Sequence, residues 1–492
     1  MSESRSSYRQ IFRATSIFGG VQVFNIMISI VRVKFVAVLL GTAGVGIMGL
    51  LNAPINLIMS VTGLGIAFSA VRDVSLAHGT GDMNKIALAI KILRRWSWFT
   101  GLLGSVFIIS FAPLLSQWTF GNRDYTWAFV WLSVTLLLQA ISKGQSAILQ
   151  GTRKLKDMAN AGVMGSLIGL ITSIPLYYYF GVKGIVPAMI ITAITGLLLS
   201  WYFSRRIRIE KIELSFKETI KSGLGMAKLG ISMTIAGFVG TFSAYVLNAF
   251  ISNSGGVDQV GLYNAGWGIV GQYTGIIFTA MATDYFPRLS AIQEDNNKVM
   301  DLVKQQAETA LLIMTPMLAF LIVAMPLVIK ILYTPAFLPV VMFANLTILG
   351  IQFKAVSWAL GYVYIAKGNG KLFLIIEIVS GSVILLSNLL FYHIYKLNGL
   401  GISFIITYMM GMTFSFVFLR WKYKIIFPKI LYERLFLTFG LVLISFCTVF
   451  IPGAGYRYLA GITVFIMATL FSLYKLNELM DIKSYILDRF KR

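Results

Sequence analysis

Apolar stretches recur along the whole chain, each about 20 residues long, the length of helix that crosses a bilayer. Only helices and closed barrels satisfy their own backbone hydrogen bonds there. Of 492 residues, 57% are apolar and 12% are charged, whereas soluble domains carry about 25% charged residues. The sequence therefore predicts an all-α polytopic membrane protein without a separate soluble domain.

We predict about fourteen transmembrane helices of this kind. They lie at 14–40, 46–71, 96–116, 126–150, 158–180, 184–204, 228–252, 262–287, 307–331, 338–366, 372–393, 400–419, 434–451 and 457–474. The polar, basic start of the chain precedes an apolar run that is too long for a signal peptide, so we expect the first helix to be retained. Cys447 is the single cysteine, which excludes an intrachain disulfide.

Basic residues are distributed unevenly between the two sides of the predicted spans. If the N-terminus is inside, the inner loops and ends hold 33 of the 42 Lys and Arg residues. This asymmetry predicts a multi-pass protein with both termini cytoplasmic. It also accounts for the net charge of +23, so we expect no nucleic-acid partner.

The chain repeats itself with a period near 215 residues. Val45-Gly46-Ile47-Met48 matches Val260-Gly261-Leu262-Tyr263, and Asp82-Met83-Asn84-Lys85 matches Asp295-Asn296-Asn297-Lys298, with three weaker pairs in the same order. Six spans separate equivalent points, so both halves have the same orientation. Parallel repeats of this kind occur in alternating-access transporters.

The repeat predicts two six-helix bundles in a parallel, pseudo-twofold arrangement around a central cavity. The bundles are expected at 1–204 and 228–420, joined by a cytoplasmic linker at 205–227. The linker fits an amphipathic helix on the membrane surface or a solvated connection equally well. Residues 421–492 are expected to form two extra transmembrane helices and a cytoplasmic tail.

A few charges lie inside the apolar stretches, where a charge costs several kcal/mol unless it faces a cavity or a partner. The cations are Arg32, Lys34, Lys143 and Lys354, and the acids are Asp284 and Glu377. The excess of cations predicts a water-filled chamber that favours an anion.

Depth distinguishes the cations. Lys143 and Lys354 lie about 15 and 20 Å from the inner surface at helical rise, near the middle of the membrane. Lys34 lies about 200° around the helix from Arg32, so the two cannot both point into one cavity. Lys34 either contributes to binding or extends to the outer interface.

Three further side chains have alternative roles. Trp358 is one helical turn from Lys354, in reach of a cation–π contact or a sugar, or it simply packs. Glu377 is a candidate for a titrating, ion-coupling group or for pairing with a cation. Asp284 is the second ion-coupling candidate, although Arg288 four residues later favours a local ion pair.

Enzymatic motifs are absent from the sequence. His78 and His393 are solitary, and no HExxH, Walker or nucleophile–base motif occurs. We therefore expect a protein that is not an enzyme and that needs neither a metal nor another cofactor.

The layout resembles the multidrug/oligosaccharidyl-lipid/polysaccharide (MOP) exporter superfamily, and within it the bacterial Wzx-type O-antigen flippases, over about residues 10–420. Its signature here is a late basic residue in span 1, the turn Gly41-Thr42-Ala43-Gly44-Val45-Gly46, a glycine-rich span 2 and a basic inner loop. Arg32 lies nine residues before Gly41, at the place of a functional arginine in related lipid II flippases. The arginines of those flippases in the middle of span 2 have no counterpart before Arg72.

The resemblance implies transport of undecaprenyl-pyrophosphate-linked O-antigen or polysaccharide units from the inner to the outer leaflet of the bacterial cytoplasmic membrane. A polysaccharide polymerase and a chain-length regulator would be the partners of such a flippase. Two alternatives stay open. A cation-coupled multidrug exporter of the same fold calls for an acidic chamber, and a membrane-embedded O-antigen polymerase usually needs a large outer loop.

Overall fold

The computed structural model describes residues 2–207 and 212–480, and within those ranges every regular element is helical. The α-helices are α1 (Ser2–Thr62), α2 (Ile66–Gly79), α3 (Met83–Phe120), α4 (Thr126–Gly151), α5 (Leu155–Phe180), α6 (Ile185–Ser204), α7 (Phe216–Gly255), α8 (Val257–Ala291), α9 (Asn296–Leu332), α10 (Val341–Ala366), α11 (Gly370–Tyr423), α12 (Lys429–Thr448) and α13 (Ala454–Met480). Short 3₁₀ helices cover Gly181–Gly184 and Pro335–Val340. The predicted all-α class is confirmed.

Two of the helices are long because they continue across kinks. Gly41 inside α1 has φ 65° and ψ −163°, and Lys396 inside α11 has φ 52° and ψ −138°. These kinks fall between predicted spans 1 and 2 and between predicted spans 11 and 12. Nine stretches of the described residues are long and apolar enough to cross a membrane, which supports a multi-pass membrane protein. The count of fourteen spans stays a prediction.

A third break separates α1 from α2 at the glycine-rich segment. Leu64 and Gly65 both have positive φ, 48° and 60°. A Cβ on Gly65 would lie 2.3 Å from the carbonyl oxygen of Gly230. The chain therefore bends where the backbone of α7 approaches it too closely for a side chain.

The sequence repeat appears as two equivalent helix caps. Asp82 Oδ1 accepts hydrogen bonds from the amides of Asn84 and Lys85, at 2.9 and 3.4 Å. Asp295 Oδ1 accepts the corresponding bonds from the two residues that match them, at 3.0 and 3.2 Å. Hydrogen bonding to the charged form, chiefly from the Lys298 amide, keeps the pKa of Asp295 below its usual range. The two caps begin α3 and α9 in the same way.

The chain divides into two compact units. The first comprises Met1–Gly261 with Leu332–Thr334, and the second comprises Leu262–Ile331 with Pro335–Arg492. Buried side chains of α1, α3, α4 and α6 form a core in the first unit, and a second cluster there joins α2 to α3, α4 and α7. The core of the second unit is formed by buried side chains of α8, α9, α10, α11 and α12. The boundaries expected from the repeat stay a prediction.

The predicted linker is partly helical and is fastened to α3. The side chain of Glu218 accepts a hydrogen bond from the amide of Ser215 at 2.9 Å, which caps the start of α7. Trp96 donates its indole N–H to the carbonyl of Thr219 at 3.2 Å. The end of the linker is thus the first part of α7, whereas 208–211 lie outside the described residues.

The two C-terminal helices are part of the second unit and pack against its other helices. The rings of Phe353 in α10 and Phe439 in α12 have centroids 4.9 Å apart, and those of Phe320 in α9 and Phe465 in α13 are 5.5 Å apart. Helix α12 therefore makes an aromatic contact with α10, and α13 makes one with α9.

Two glycines that the repeat pairs meet at one helix crossing in the first unit. A Cβ on Gly46 would lie 2.1 Å from the carbonyl oxygen of Val257, and a Cβ on Gly261 would lie 2.0 Å from that of Thr42. Small residues permit this close approach of backbones in membrane helices. The hydroxyl of Thr42 also donates to the Asp258 carboxylate.

Gly46→Ala and Gly261→Ala are each expected to destabilise the protein by about 1–3 kcal/mol, because the added methyl group must push two backbones apart. Gly240→Ala is the control, because nothing lies within 4 Å of its added Cβ, and alanine there should stabilise the helix by up to about 1 kcal/mol. Thermal unfolding in detergent measures both signs. Equal melting temperatures for all three variants would contradict the tight crossing.

Candidate functional site

Arg32 lies on α1, nine residues before the kink at Gly41. Its side chain is half-buried, and its Nε is buried without a hydrogen-bond partner in the described part of the chain. None of the ion pairs found among the described residues involves it. Because it lacks these partners, the guanidinium of Arg32 retains N–H donors for a ligand.

Lys34 is held differently from Arg32. Its ammonium donates a hydrogen bond to the backbone carbonyl of Tyr333, which belongs to the same unit. Its partner is therefore part of the protein itself, in keeping with the predicted divergence of the two side chains around the helix.

Lys143 projects from α4 and is exposed. Its Nζ lies 3.6 Å from the thioether sulfur of Met59 in α1. A thioether is a weak acceptor, and no carboxylate in the described ranges forms an ion pair with this ammonium. The charge of Lys143 is thus poorly compensated.

Lys354 lies on α10 in the second unit and is surrounded by aromatic rings. Its Nζ is 5.6 Å from the ring centroid of Phe278, 5.8 Å from that of Phe404 and 5.4 Å from that of Tyr408. These distances permit cation–π attraction to three rings, one on α8 and two on α11. Ring faces stabilise a cation without neutralising it, so the lysine keeps its capacity to attract an anion.

Trp358 packs inside an aromatic cluster one turn further along α10. Its ring centroid is 5.4 Å from Phe278, 5.8 Å from Tyr285 and 5.0 Å from Tyr362. The ring contacts of Lys354 given above do not include Trp358, so the described geometry favours packing. A sugar-contacting role for Trp358 stays a prediction.

Glu377 is half-buried on α11. Its charge acts on Tyr408, the same tyrosine whose ring faces Lys354. Tyr408 is therefore a common neighbour of the predicted substrate cation and the predicted coupling acid. Asp284, by contrast, is exposed and pairs with Arg288, with Oδ2 and Nη1 3.0 Å apart, as the local alternative predicts.

The sequence reasoning missed a buried acid, Glu308. This residue of α9 is 2% exposed, and its Oε1 has no hydrogen-bond partner in the described ranges. Lys304 and Arg434 are the charged groups whose fields act on its carboxylate. The second unit therefore contains a buried charged residue, Glu308, in addition to Lys354.

Arg434, the first residue of the predicted span 434–451, is a second charged residue that the sequence reasoning did not single out. It lies within α12, is 7% exposed, and its Nε has no hydrogen-bond partner in the described ranges. Leu431, Leu435 and Thr438 are also buried, so the spacing of three, four and seven residues places Arg434 on the inward face. That periodicity was the available signal.

Metal ligation has no support in the described part of the chain, where no group of three or more His, Cys, Asp or Glu side chains could hold an ion. The candidate residues are therefore single charges and aromatic rings. They can bind and orient an anion, and one acid can exchange a proton.

Solved structures with similar folds are membrane transporters. The inward closed conformation of the lipid II flippase MurJ aligns with a TM-score of 0.70 and 14% identity, covering 95% of this chain and 99% of the other. An inward-facing multidrug resistance MATE family transporter of the MOP superfamily aligns with a TM-score of 0.65 and 15% identity, covering 81% and 94%. A MOP superfamily transporter from Pyrococcus furiosus aligns with a TM-score of 0.52 and 17% identity, covering 84% and 94%.

These likenesses show that the chain has the fold of these transporters. The chain belongs to the family described as "polysaccharide biosynthesis protein", whose profile matches residues 35–342, more than half of its length. No match was found among curated proteins. The predicted resemblance to a polysaccharide flippase of the MOP superfamily is confirmed.

Proposed function

We propose that this protein transports a lipid-linked oligosaccharide across the cytoplasmic membrane of a bacterium, from the inner to the outer leaflet, by alternating access. The substrate would be an O-antigen or polysaccharide unit on undecaprenyl pyrophosphate. Family membership supports a role in polysaccharide biosynthesis, and a lipid II flippase is among the proteins of similar fold. Both termini would be cytoplasmic.

One observation carries the proposal. Arg32, Lys143 and Lys354 lie within helices long and apolar enough to cross a membrane, and none forms an ion pair with a carboxylate of the described residues. Charge at this depth is costly unless a ligand or water compensates it. A pyrophosphate supplies the missing negative charge.

Arginine and lysine would contribute differently to binding of the pyrophosphate. The guanidinium of Arg32 can form two parallel hydrogen bonds to a phosphate, whereas the ammonium groups of Lys143 and Lys354 act as point charges. The rings around Lys354 also offer flat surfaces for sugars. Lys34, already bound to a backbone carbonyl, would play a smaller part.

Glu377 is the proposed ion-coupling group because it is a half-buried carboxylate within an apolar helix, forms none of the ion pairs found in the described ranges, and has a field that reaches Tyr408 beside Lys354. Protonation of the acid would change the field at the substrate cation. Glu377→Gln should therefore flatten the pH dependence of transport, and Asp284→Asn should leave it unchanged because Asp284 is exposed and paired with Arg288. An unaltered pH profile for Glu377→Gln would remove the glutamate from the coupling step.

A reconstituted assay separates this function from multidrug export, which the MATE fold also performs. The purified full-length chain is placed in liposomes with a fluorescent undecaprenyl-pyrophosphate sugar, and flipping is measured as access of the label to a membrane-impermeant quencher. A cationic dye is the second substrate. We expect flipping of the lipid-linked sugar without transport of the dye.

The opposite result would replace the proposal with drug export. Transport of neither substrate by protein that remains folded would also contradict it. Polymerisation of the sugar units by the purified chain would indicate a membrane enzyme instead.

A further inference from the structure

A cavity of about 480 Å³ opens on the first unit between α3, α4 and α6. Arg94 and Trp98 of α3, Leu138 and Gln145 of α4, and Leu198 and Trp201 of α6 line it. None of the cations assigned to substrate binding is among the lining residues. The cavity is therefore distinct from the site proposed for the lipid-linked sugar.

The cavity lies at the level where the basic loops meet the membrane. Helix α3 has 38 residues and is about 57 Å long, whereas the hydrocarbon core is about 30 Å thick. Its first turns must therefore project beyond the hydrocarbon, and Arg94 comes just before its apolar part. Trp201 lies three residues before the end of α6, and Arg205 stacks over it with 4.7 Å between Cζ and the ring centroid.

The wall of the cavity is apolar and open to the outside. Trp98 is 51% exposed, Leu198 is 56% exposed and Trp201 is 48% exposed. Exposed side chains of this type on a membrane protein contact lipid chains, and tryptophan favours the level of the lipid headgroups. The wall suits an acyl chain that enters from the bilayer.

Arg94 supplies the one charge among the lining residues, and it has no hydrogen bond or ion pair with any described residue. Its neighbour Arg95 is different, because it donates hydrogen bonds to the carbonyl of Ser215 at 3.2 Å and to the hydroxyl of Thr219. The Oε1 of Gln145 also has a partner, since it accepts a hydrogen bond from Ser200 at 2.6 Å. The donors of Arg94 are thus available to a ligand.

We propose that this cavity binds an anionic phospholipid of the inner leaflet. Its phosphate would accept hydrogen bonds from the guanidinium of Arg94, for which the planar fork is well suited. Its acyl chain would lie against the leucines and tryptophans. Basic residues at the cytoplasmic surface attract anionic lipids in the same way, and the cavity adds a defined place for the chain.

The test counts lipid bound to the delipidated full-length protein by native mass spectrometry. Phosphatidylglycerol is the probe, and phosphatidylcholine, inorganic phosphate and undecaprenyl pyrophosphate are the comparison ligands. We expect phosphatidylglycerol to bind more tightly than phosphatidylcholine. Arg94→Gln should weaken its binding about tenfold, the loss of one charge-assisted contact, and Arg94→Lys should weaken it less.

Arg420→Gln is the matched control. Arg420 is also exposed at the inner end of a helix beside an exposed tryptophan, Trp421, but it does not line the cavity. Its replacement should leave phosphatidylglycerol binding unchanged, and melting temperatures show whether each variant is folded.

Four results would overturn the proposal. Equal binding of phosphatidylcholine would show that headgroup charge is irrelevant. Displacement of the lipid by inorganic phosphate would indicate a free-anion site, and tighter, Arg94-dependent binding of undecaprenyl pyrophosphate would make the cavity a substrate site. An Arg94→Gln variant that is folded and binds phosphatidylglycerol normally would refute the role of the arginine.

Discussion

Lys354→Met is expected to lower the rate of flipping about tenfold to a hundredfold while leaving the protein folded in the membrane. One charge-assisted hydrogen bond contributes about 1.5–3 kcal/mol, and the substrate would lose it. Methionine keeps the apolar stem against Phe278, Phe404 and Tyr408, whose rings surround the ammonium. Flipping of the fluorescent lipid-linked sugar in liposomes measures the effect.

Lys371→Met is the control because Lys371 is exposed near the start of α11 and forms none of the ion pairs found in the described ranges. Arg32→Gln and Lys143→Met should resemble Lys354→Met. Lys34→Met should have a smaller effect because the backbone carbonyl, and not the substrate, is its partner. Normal flipping by the Arg32/Lys143/Lys354 triple variant would show that these cations do not bind the substrate.

Periodic and repeated features of this fold were predictable from the sequence. Asp82 and Asp295 were matched only through the identity of the neighbouring residues. Both cap a helix by accepting hydrogen bonds from the amides two and three residues later. Glycine at position 41 predicted a turn because glycine adopts positive φ at little cost, and the kink is there. The corresponding kink at Lys396 carries no such signal in the residue itself.

Contacts between distant helices were beyond sequence reasoning. The spacing of Lys354 and Trp358 predicted a contact along one helix, yet the rings around the lysine come from α8 and α11. Arg434 stands at the edge of the predicted span 434–451, and that position alone does not show that its neighbours on α12 are buried. A position along the chain gives depth, whereas the direction of a side chain depends on which helices pack beside it.

Arg434→Met is expected to destabilise the protein by about 1–3 kcal/mol, because it removes one of the two cations whose fields act on the buried Glu308 carboxylate, with which it forms no ion pair among those found in the described ranges. Their sequence neighbours Ala307 and Leu311 of α9 and Leu431 and Leu435 of α12 belong to one apolar core. Lys304 on α9 also acts on the carboxylate, so the loss should fall at the lower end of that range. Thermal and denaturant unfolding in detergent measure it.

The double variant Glu308→Gln/Arg434→Met distinguishes charge from shape. If electrostatic coupling dominates, neutralising both groups should recover most of the stability that Arg434→Met loses, because no uncompensated charge remains. Lys429→Met in the same helix is the control: Lys429 is 90% exposed and pairs with Glu433 at 3.4 Å, and such a surface pair contributes about 0–1 kcal/mol. Strictly additive losses in the double variant would instead mean that Arg434 stabilises α12 through packing of its long side chain.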